Sequence, residues 1–232
     1  MCSIWRTLDR KLLRDALAVA AATGVIGISF GAIAVASGMP AWLAAAMSTL
    51  VFAGGSQFMA LGVLAAGGGA VAAVLAALLL NVRHLPFGLA IADVLGPGRV
   101  DRFLGCHLMT DETVAFALTQ TDPRRRRVAY WTSATALFVT WNTGVLVGAF
   151  AGQALGDPNA FGVDAAFPAS IIALLLPALR DRATARVALA AATVALATTP
   201  VLPAGLPVLL ALLGLLAAYT TAKPQVSEEK IG

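Results

Sequence analysis

The chain has 232 residues, of which 59% are hydrophobic and 12% are charged. An ordinary soluble domain carries about 25% charged residues, so the composition excludes water as the main solvent of this fold. The net charge of +4 is spread over short basic clusters, so it does not indicate a nucleic-acid-binding patch.

The predicted elements begin after a charged N-terminal segment, residues 1–15. The next apolar run is longer than the roughly 7 to 15 residues of a signal-peptide core, so we predict a retained membrane span. Seven further apolar runs follow, continuous and rich in Ala, Leu and Val, whereas β-barrel strands alternate apolar and polar residues. The predicted spans are 16–37, 41–66, 70–92, 103–120, 129–152, 164–180, 184–200 and 203–221.

The sequence therefore predicts an all-α, polytopic membrane protein with about eight transmembrane helices, one or more of them broken. Cytoplasmic loops carry an excess of Lys and Arg, which places residues 1–15, the Arg124–Arg127 loop and the arginines near 180–186 inside. Both termini are then cytoplasmic. A single transmembrane domain, 16–221, lies between the N-terminal segment and a cytoplasmic tail, 222–232.

The fourth apolar segment, 103–120, is the least regular, because it contains His107, Asp111 and Glu112. Such a segment is compatible with a re-entrant or a surface helix. If it did not cross, however, the basic Arg124–Arg127 loop would lie outside, against the charge rule. We therefore predict that it crosses the membrane.

Two groups of glycines precede polar residues in the first half of the chain. Gly27 and Gly31 form a small-xxx-small face that allows close helix approach. The stretch Gly54-Gly55-Ser56-Gln57 is different, because adjacent glycines loosen a helix where polar side chains follow. An interrupted membrane helix exposes N–H and C=O groups that suit a zwitterion. We predict that Gly54, Gly55, Ser56 and Gln57 bind substrate.

A second polar group, Asn81-Val82-Arg83-His84, lies within the third predicted span. A charged side chain at this depth is expensive unless it is paired or faces a wet cavity. Pro86 cannot donate to the Val82 carbonyl, so a kink is expected there. We predict that Asn81 and Arg83 bind substrate; the alternative is that Arg83 extends to the membrane surface.

The fourth span places His107 and Asp111 one helical turn apart, with Glu112 beside them. Intramembrane carboxylates and histidines are typical proton carriers. We predict that His84, His107, Asp111 and Glu112 couple proton movement to transport. The alternative is a structural ion pair between Arg83 and Asp111 or Glu112.

Other classes of function remain open from the residues alone. Ser56 with His84 or His107 would make an intramembrane enzyme, but no GxSxG motif is present. Cys106, His107 and Asp111 could in principle bind a metal, although neighbouring helix positions point about 100° apart. A passive channel or a membrane subunit without transport of its own is the main competitor. We expect no enzyme activity, metal or cofactor.

Four stretches closely resemble the AzlC family in order and spacing: GISFGAIAVASG (27–38), FAGGSQF (52–58), NVRH (81–84) and TDETVAFAL (110–118). The later stretch DAAFPASIIALLLP (164–177) fits less distinctively. The resemblance implies a bacterial cytoplasmic (inner) membrane permease that exports the branched-chain amino acids valine, leucine and isoleucine, with methionine as a further candidate substrate. It also implies a small AzlD-like membrane partner.

Overall fold

A computed structural model describes residues 10–154, 176, 178–202 and 206–215. These residues form helices and no β-strand, which confirms the predicted all-α class. The N-terminal part comprises α1 (Arg10–Ala36), α2 (Ala41–Val51), α3 (Gly54–Ala65), α4 (Ala70–Asn81), α5 (His84–Ala90), α6 (Arg99–His107), α7 (Asp111–Leu118) and α8 (Pro123–Ala154).

The C-terminal part comprises α9 (Arg182–Thr198) and α10 (Leu206–Leu210), with short 3-10 turns at Ala178–Arg180 and Ala211–Leu215. Helix α9 matches the seventh predicted span. Most of the sixth predicted span and about half of the eighth lie outside the described residues, as do the tail and most of the N-terminal segment.

Three described stretches are long and apolar enough to cross a membrane: Arg10–Ala36, Ala70–Ala90 and Pro123–Ala154. They coincide with the first, third and fifth predicted spans. The shortest of them, which joins α4 to α5, has 21 residues. Its length of about 31 Å matches the roughly 30 Å of bilayer hydrocarbon.

Helices α1 and α8 form the most extensive helix pair and run parallel to each other. Gly24 of α1 faces Thr140 of α8, and further along both helices Ala32 faces Gly152. The N-terminal ends of α1 and α8 therefore lie on the same side of the molecule, as the distribution of basic residues predicts.

Glycines on both helices make this close approach possible. A Cβ at Gly27 would lie 2.7 Å from the carbonyl oxygen of Trp141, and a Cβ at Gly31, Gly144 or Gly148 would overlap backbone atoms of the other helix. The predicted small-residue face of α1 is thus confirmed as a helix-packing surface, which we call the glycine seam. Its α8 half was not predicted.

Helices α2 and α3 fold back on each other and form the first hairpin (Ala41–Ala65). Helix α2 starts five residues after α1 ends. Its C-terminal end reaches Phe138 in the middle of α8, where Phe52 packs at 4.9 Å between ring centroids. Helix α3 then runs antiparallel to α4, because Gly55 at its start faces Leu80 at the end of α4. Both open ends of the first hairpin therefore lie towards the C-terminal ends of α1 and α8.

Helices α6 and α7 form the second hairpin (Arg99–Leu118), which enters from the opposite side. At the start of α6, Asp101 pairs with Arg127 at 3.7 Å. At its end, the His107 ring lies 6.0 Å from Phe138, about 16 Å further along α8. Helix α7 then returns, since α8 begins only five residues after α7 ends.

The predicted spans at 41–66 and 103–120 are therefore wrong as single crossing helices. Hydropathy cannot distinguish one span from two short helices joined by a turn within the membrane. Thr110 explains the second break, since its hydroxyl accepts a hydrogen bond from the Thr113 N–H and begins a new helix. The predicted total of eight spans is not confirmed for the described residues.

Ion pairs fasten the open end of the second hairpin to the start of α8. Arg126 pairs with Asp93 at 3.0 Å and also donates to the Ala90 carbonyl at 3.1 Å, while Arg127 pairs with Asp101. Asp93 in the loop between α5 and α6 and Asp101 in the first turn of α6 thus balance part of the Arg124–Arg127 cluster.

Candidate functional site

The tip of the first hairpin lies in the interior and is held by α8. Helix α2 ends at Val51 and α3 begins at Gly54. Just before the tip, the hydroxyls of Ser48 and Thr49 donate to the side-chain oxygen of Asn142 at 2.8 and 3.1 Å. Hydrogen bonds between membrane helices are worth about 0.6 kcal/mol on average, so this contact fixes the tip only moderately.

The tip of the second hairpin meets the tip of the first. His107, the last residue of α6, donates from Nε2 to the carbonyl oxygen of Thr49 at 2.9 Å. The same ring lies 6.4 Å from the ring of Phe52. The carbonyl groups at the end of α2 lack helical partners, so His107 satisfies one of them and joins the two hairpins.

The third component is the turn between α4 and α5, at Val82 and Arg83. The Val82 carbonyl accepts a hydrogen bond from the N–H of Leu85. The usual helical donor to this carbonyl would be the N–H of residue 86, which is missing because residue 86 is proline. The interruption predicted at this point is confirmed as a break in the helical hydrogen bonding. It projects Arg83 towards the second hairpin, where its Nη1 lies 2.6 Å from Oδ2 of Asp111.

All three breaks surround one cavity of about 260 Å³, the central cavity. The first hairpin contributes apolar side chains, the α4–α5 turn contributes polar ones, and the second hairpin contributes both. A small molecule there would therefore meet an apolar wall and several hydrogen-bonding groups. The cavity is lined by Val51, Phe52 and Ala53 from the first hairpin, Asn81 and His84 from the α4–α5 turn, and Cys106, His107 and Met109 from the second hairpin.

Three of the ten predicted site residues line this cavity: Asn81, His84 and His107. The Oδ1 atom of Asn81 is buried and has no hydrogen-bond partner among the described residues. His84 donates from Nδ1 to the Asn81 carbonyl at 3.1 Å, which leaves its Nε2 available. Arg83 and Asp111 pair beside the cavity and are about one third and one half exposed.

The Gly54–Gln57 stretch forms the first turn of α3, directly after the break between α2 and α3. Gly54 packs against the Trp141 ring, and Gly55 faces Arg83, whose Nη2 would lie 3.3 Å from a Cβ there. Gln57 is fully buried, and neither atom of its amide has a partner among the described residues. An unsatisfied buried amide is costly, so this turn has the capacity to bind a further polar group.

Two of the predicted site residues, Ser56 and Glu112, do not line the central cavity. Ser56 donates to the Ala53 carbonyl at 2.9 Å and not to a histidine, which gives no support to a Ser–His nucleophile. Glu112 follows Asp111 in the first turn of α7 and does not line the central cavity. Within the described ranges, no group of three His, Cys, Asp or Glu side chains is arranged to hold a metal ion.

Sequence reasoning missed Phe52, Met109 and Asn142 as parts of the site. Asn142 carried a readable signal, because it is an amide in an otherwise apolar stretch of α8. Phe52 and Met109 carried none, since apolar residues in apolar segments do not reveal which of them face a cavity.

A second cavity of about 550 Å³, the basal cavity, lies between the N-terminal end of α1 and the flank of the second hairpin. It opens beside the basic start of α8. Its lining residues are Lys11, Leu12, Asp15, Ala115, Phe116, Thr119, Gln120 and Arg125.

Comparison with known proteins identifies the family. Residues 18–155 match the AzlC protein family, a range that contains both hairpins, the glycine seam and the whole central cavity. No curated protein and no solved structure matches the chain. The chain therefore belongs to the AzlC family of membrane proteins, which is associated with branched-chain amino acid transport.

Proposed function

We propose that this protein is a secondary transporter that exports branched-chain amino acids across the bacterial inner membrane, with methionine as a further candidate substrate. The observation that carries the proposal is the central cavity, where three helix breaks meet at mid-depth. Broken helices at the midplane are a recurrent way to build a transporter site, because their ends supply unpaired backbone groups. Family membership supplies the substrate class.

The proposed membrane topology uses α1, α4–α5 and α8 as spans, with the hairpins entering from opposite sides. Helices of 8 to 12 residues rise about 12–18 Å, roughly half of the hydrocarbon thickness. Between α1 and α8 the chain then crosses once instead of three times. The basic Arg124–Arg127 cluster stays inside either way, so the charge rule no longer requires the second hairpin to cross.

We place both termini in the cytoplasm. For the C-terminus, this rests on the basic residues Arg180, Arg182 and Arg186 and on the rule that such residues stay inside.

Substrate binding would exchange one ion pair for two. A zwitterion beside the central cavity offers a carboxylate to Arg83 and an ammonium group to Asp111, which pair with each other in its absence. The free N–H groups of the first turn of α3 and the unpartnered amide of Gln57 add donors for the carboxylate. The net charge of the site stays constant, which limits the cost of desolvation.

Alternating access follows from the opposed hairpins. Few polar contacts hold their tips among the described residues: Asn142 holds the first tip, the Arg83–Asp111 pair holds the second, and His107 joins the two. Loosening the second hairpin would connect the central cavity with the basal cavity on the cytoplasmic side. Loosening the first hairpin would open the other side.

Proton coupling is assigned to His84, His107, Asp111 and Glu112. Asp111 is the central member, because protonation would neutralise it and release Arg83 for a substrate carboxylate. A transmembrane proton gradient would thereby bias the ion-pair exchange in one direction.

A small AzlD-like membrane protein is the proposed partner. Helix α4 has an unoccupied apolar side in the described part of the chain, on which Val71, Val74, Leu75 and Leu78 are exposed. Co-purification of the two proteins from detergent-solubilised membranes tests this part of the proposal directly.

The transport test measures release of valine, leucine, isoleucine and methionine from peptide-loaded cells, with and without the partner. Asp111→Asn is the test variant, and Asp101→Asn is the matched control, because it removes a paired carboxylate remote from the central cavity. We expect partner-dependent release that Asp111→Asn abolishes and Asp101→Asn retains. Unchanged release after collapse of the proton gradient would instead indicate a passive channel.

A further inference from the structure

Phe52 occupies a backbone conformation that its side chain disfavours. Its φ is +40° and its ψ is +51°, in the left-handed region where a Cβ approaches the following carbonyl oxygen. All other described residues with positive φ are glycines: Gly38, Gly67 and Gly96. Glycine is also the usual residue just after a helix C-terminus. The phenylalanine at this position is therefore unfavourable for the local backbone conformation.

The ring of Phe52 forms part of the central cavity. The residue is 4% exposed, and its ring packs edge-on against Phe138 at 4.9 Å and lies beside His107. The ring therefore has a rigid backing on α8. Met109 of the second hairpin also lines the cavity, so the two hairpin tips each contribute one large apolar side chain.

The volume of the cavity suits one small amino acid. Its volume of about 260 Å³ is roughly nine times the 30 Å³ that one water molecule occupies in the liquid. The Phe52 ring forms part of its wall, so this ring limits how far a substrate side chain can extend towards α8.

We propose that Phe52 is the residue that selects substrates by side-chain size, with its strained backbone holding the ring as a fixed wall of the cavity. This inference rests on the proposed function, because it assumes that the central cavity binds the amino acid. Strained residues persist where the surrounding structure holds them for a functional reason.

Two substitutions separate the effect of the Phe52 ring from the effect of the backbone strain at this residue. Phe52→Gly removes both, whereas Phe52→Ala removes the ring and keeps a Cβ in the left-handed region. Both variants should accept phenylalanine better relative to valine, by about tenfold or more, since one methylene changes selectivity by about 10- to 200-fold. Phe52→Gly should be the more thermostable of the two. Phe150→Ala is the control, because Phe150 is an exposed aromatic residue of α8 that does not line the cavity.

Binding is measured independently of transport by protection of Cys106, which lines the cavity and is exposed. Cys2→Ser removes the other thiol of the chain, and the purified protein is labelled with a maleimide in the presence of valine, leucine or phenylalanine. We expect valine and leucine to protect the original Phe52 protein, and phenylalanine to protect only the Phe52→Gly and Phe52→Ala variants.

The outcomes distinguish the two proposals. Protection of Cys106 by leucine in the original protein and by phenylalanine only in Phe52→Gly and Phe52→Ala, without any release from cells, would overturn export and support the size-selection inference. Release with an identical amino-acid preference in Phe52→Gly would overturn size selection and leave export supported. If no amino acid protects Cys106, the central cavity is not the binding site and the inference about Phe52 is wrong.

Discussion

The glycine seam makes a quantitative prediction about two neighbouring glycines of α1. In Gly27→Ala the new Cβ would lie 2.7 Å from the Trp141 carbonyl oxygen, about 0.7 Å short of an ordinary contact of 3.4 Å. In Gly24→Ala it would lie 3.3 Å from the Thr140 carbonyl oxygen, almost at ordinary contact. Backbone atoms cannot rotate away, so in Gly27→Ala the helices themselves must separate.

The two substitutions should therefore differ in sign. Alanine stabilises a helix interior by about 1 kcal/mol relative to glycine, and overpacking costs about 1–3 kcal/mol. For Gly27→Ala the free energy of unfolding should therefore decrease by up to about 2 kcal/mol. For Gly24→Ala the overlap is small, and a gain of up to about 1 kcal/mol is expected.

The free energy of unfolding can be measured by SDS titration in mixed micelles, with tryptophan fluorescence as the signal. Gly88→Ala is the control for helix propensity, because a Cβ there meets only the Met109 side chain, at 3.9 Å. If Gly27→Ala were as stable as Gly24→Ala and Gly88→Ala, the spacing of α1 and α8 described above would be incorrect.

Three further predictions concern hairpin anchors and a helix cap. Asn142→Val should destabilise the protein by about 0.5–1.5 kcal/mol and make Cys106 more accessible to maleimide, since the first hairpin loses its hydrogen bonds to α8. Arg83→Gln should reduce amino acid release by about tenfold or more, because Asp111 loses its cation; release equal to that of the unmodified protein would exclude the ion-pair exchange. Two hydrogen bonds from Thr184 hold the pKa of Asp181 below its ordinary value of 3.8, so they stabilise the start of α9 above about pH 4. This stabilisation should be lost as the pH falls through the lowered pKa, whereas Asp181→Asn, whose amide can also cap, should show no such dependence in hydrogen exchange.

The sequence allowed the long helices to be predicted but not the path of the chain between them. The spans around Gly27, Ala76 and Trp141 are continuous apolar runs, and hydropathy alone identifies them. Gly54 and Gly55 indicated an interruption in the first hairpin, but nothing indicated that the chain turns back, because the turn residues Phe52 and Ala53 are apolar. The second was closer to being readable, since Thr110 followed by two acidic residues is a helix-start pattern.

The site was predictable to a similar degree. A charged residue in an apolar span requires a partner, so the pairing of Arg83 with Asp111 or Glu112 could be proposed from composition, and the structure selects Asp111. The Asn142 contact to Ser48 joins residues 94 positions apart. No local pattern encodes which helix an amide will meet at that separation.

That separation also has a consequence for the order in which the chain folds. Helices α2 and α3 are too short to be integrated individually as spans, and their tip is fixed by groups on α8, which is synthesised much later. Before α8 is synthesised, the first hairpin can contact α1, α4, α5 and the second hairpin, whose His107 meets the Thr49 carbonyl, but the hydroxyls of Ser48 and Thr49 lack their partner Asn142. We therefore expect the first hairpin to reach its final position only after α8 has entered the bilayer and docked along α1, so that a chain truncated before α8 would leave residues 41–65 accessible to protease.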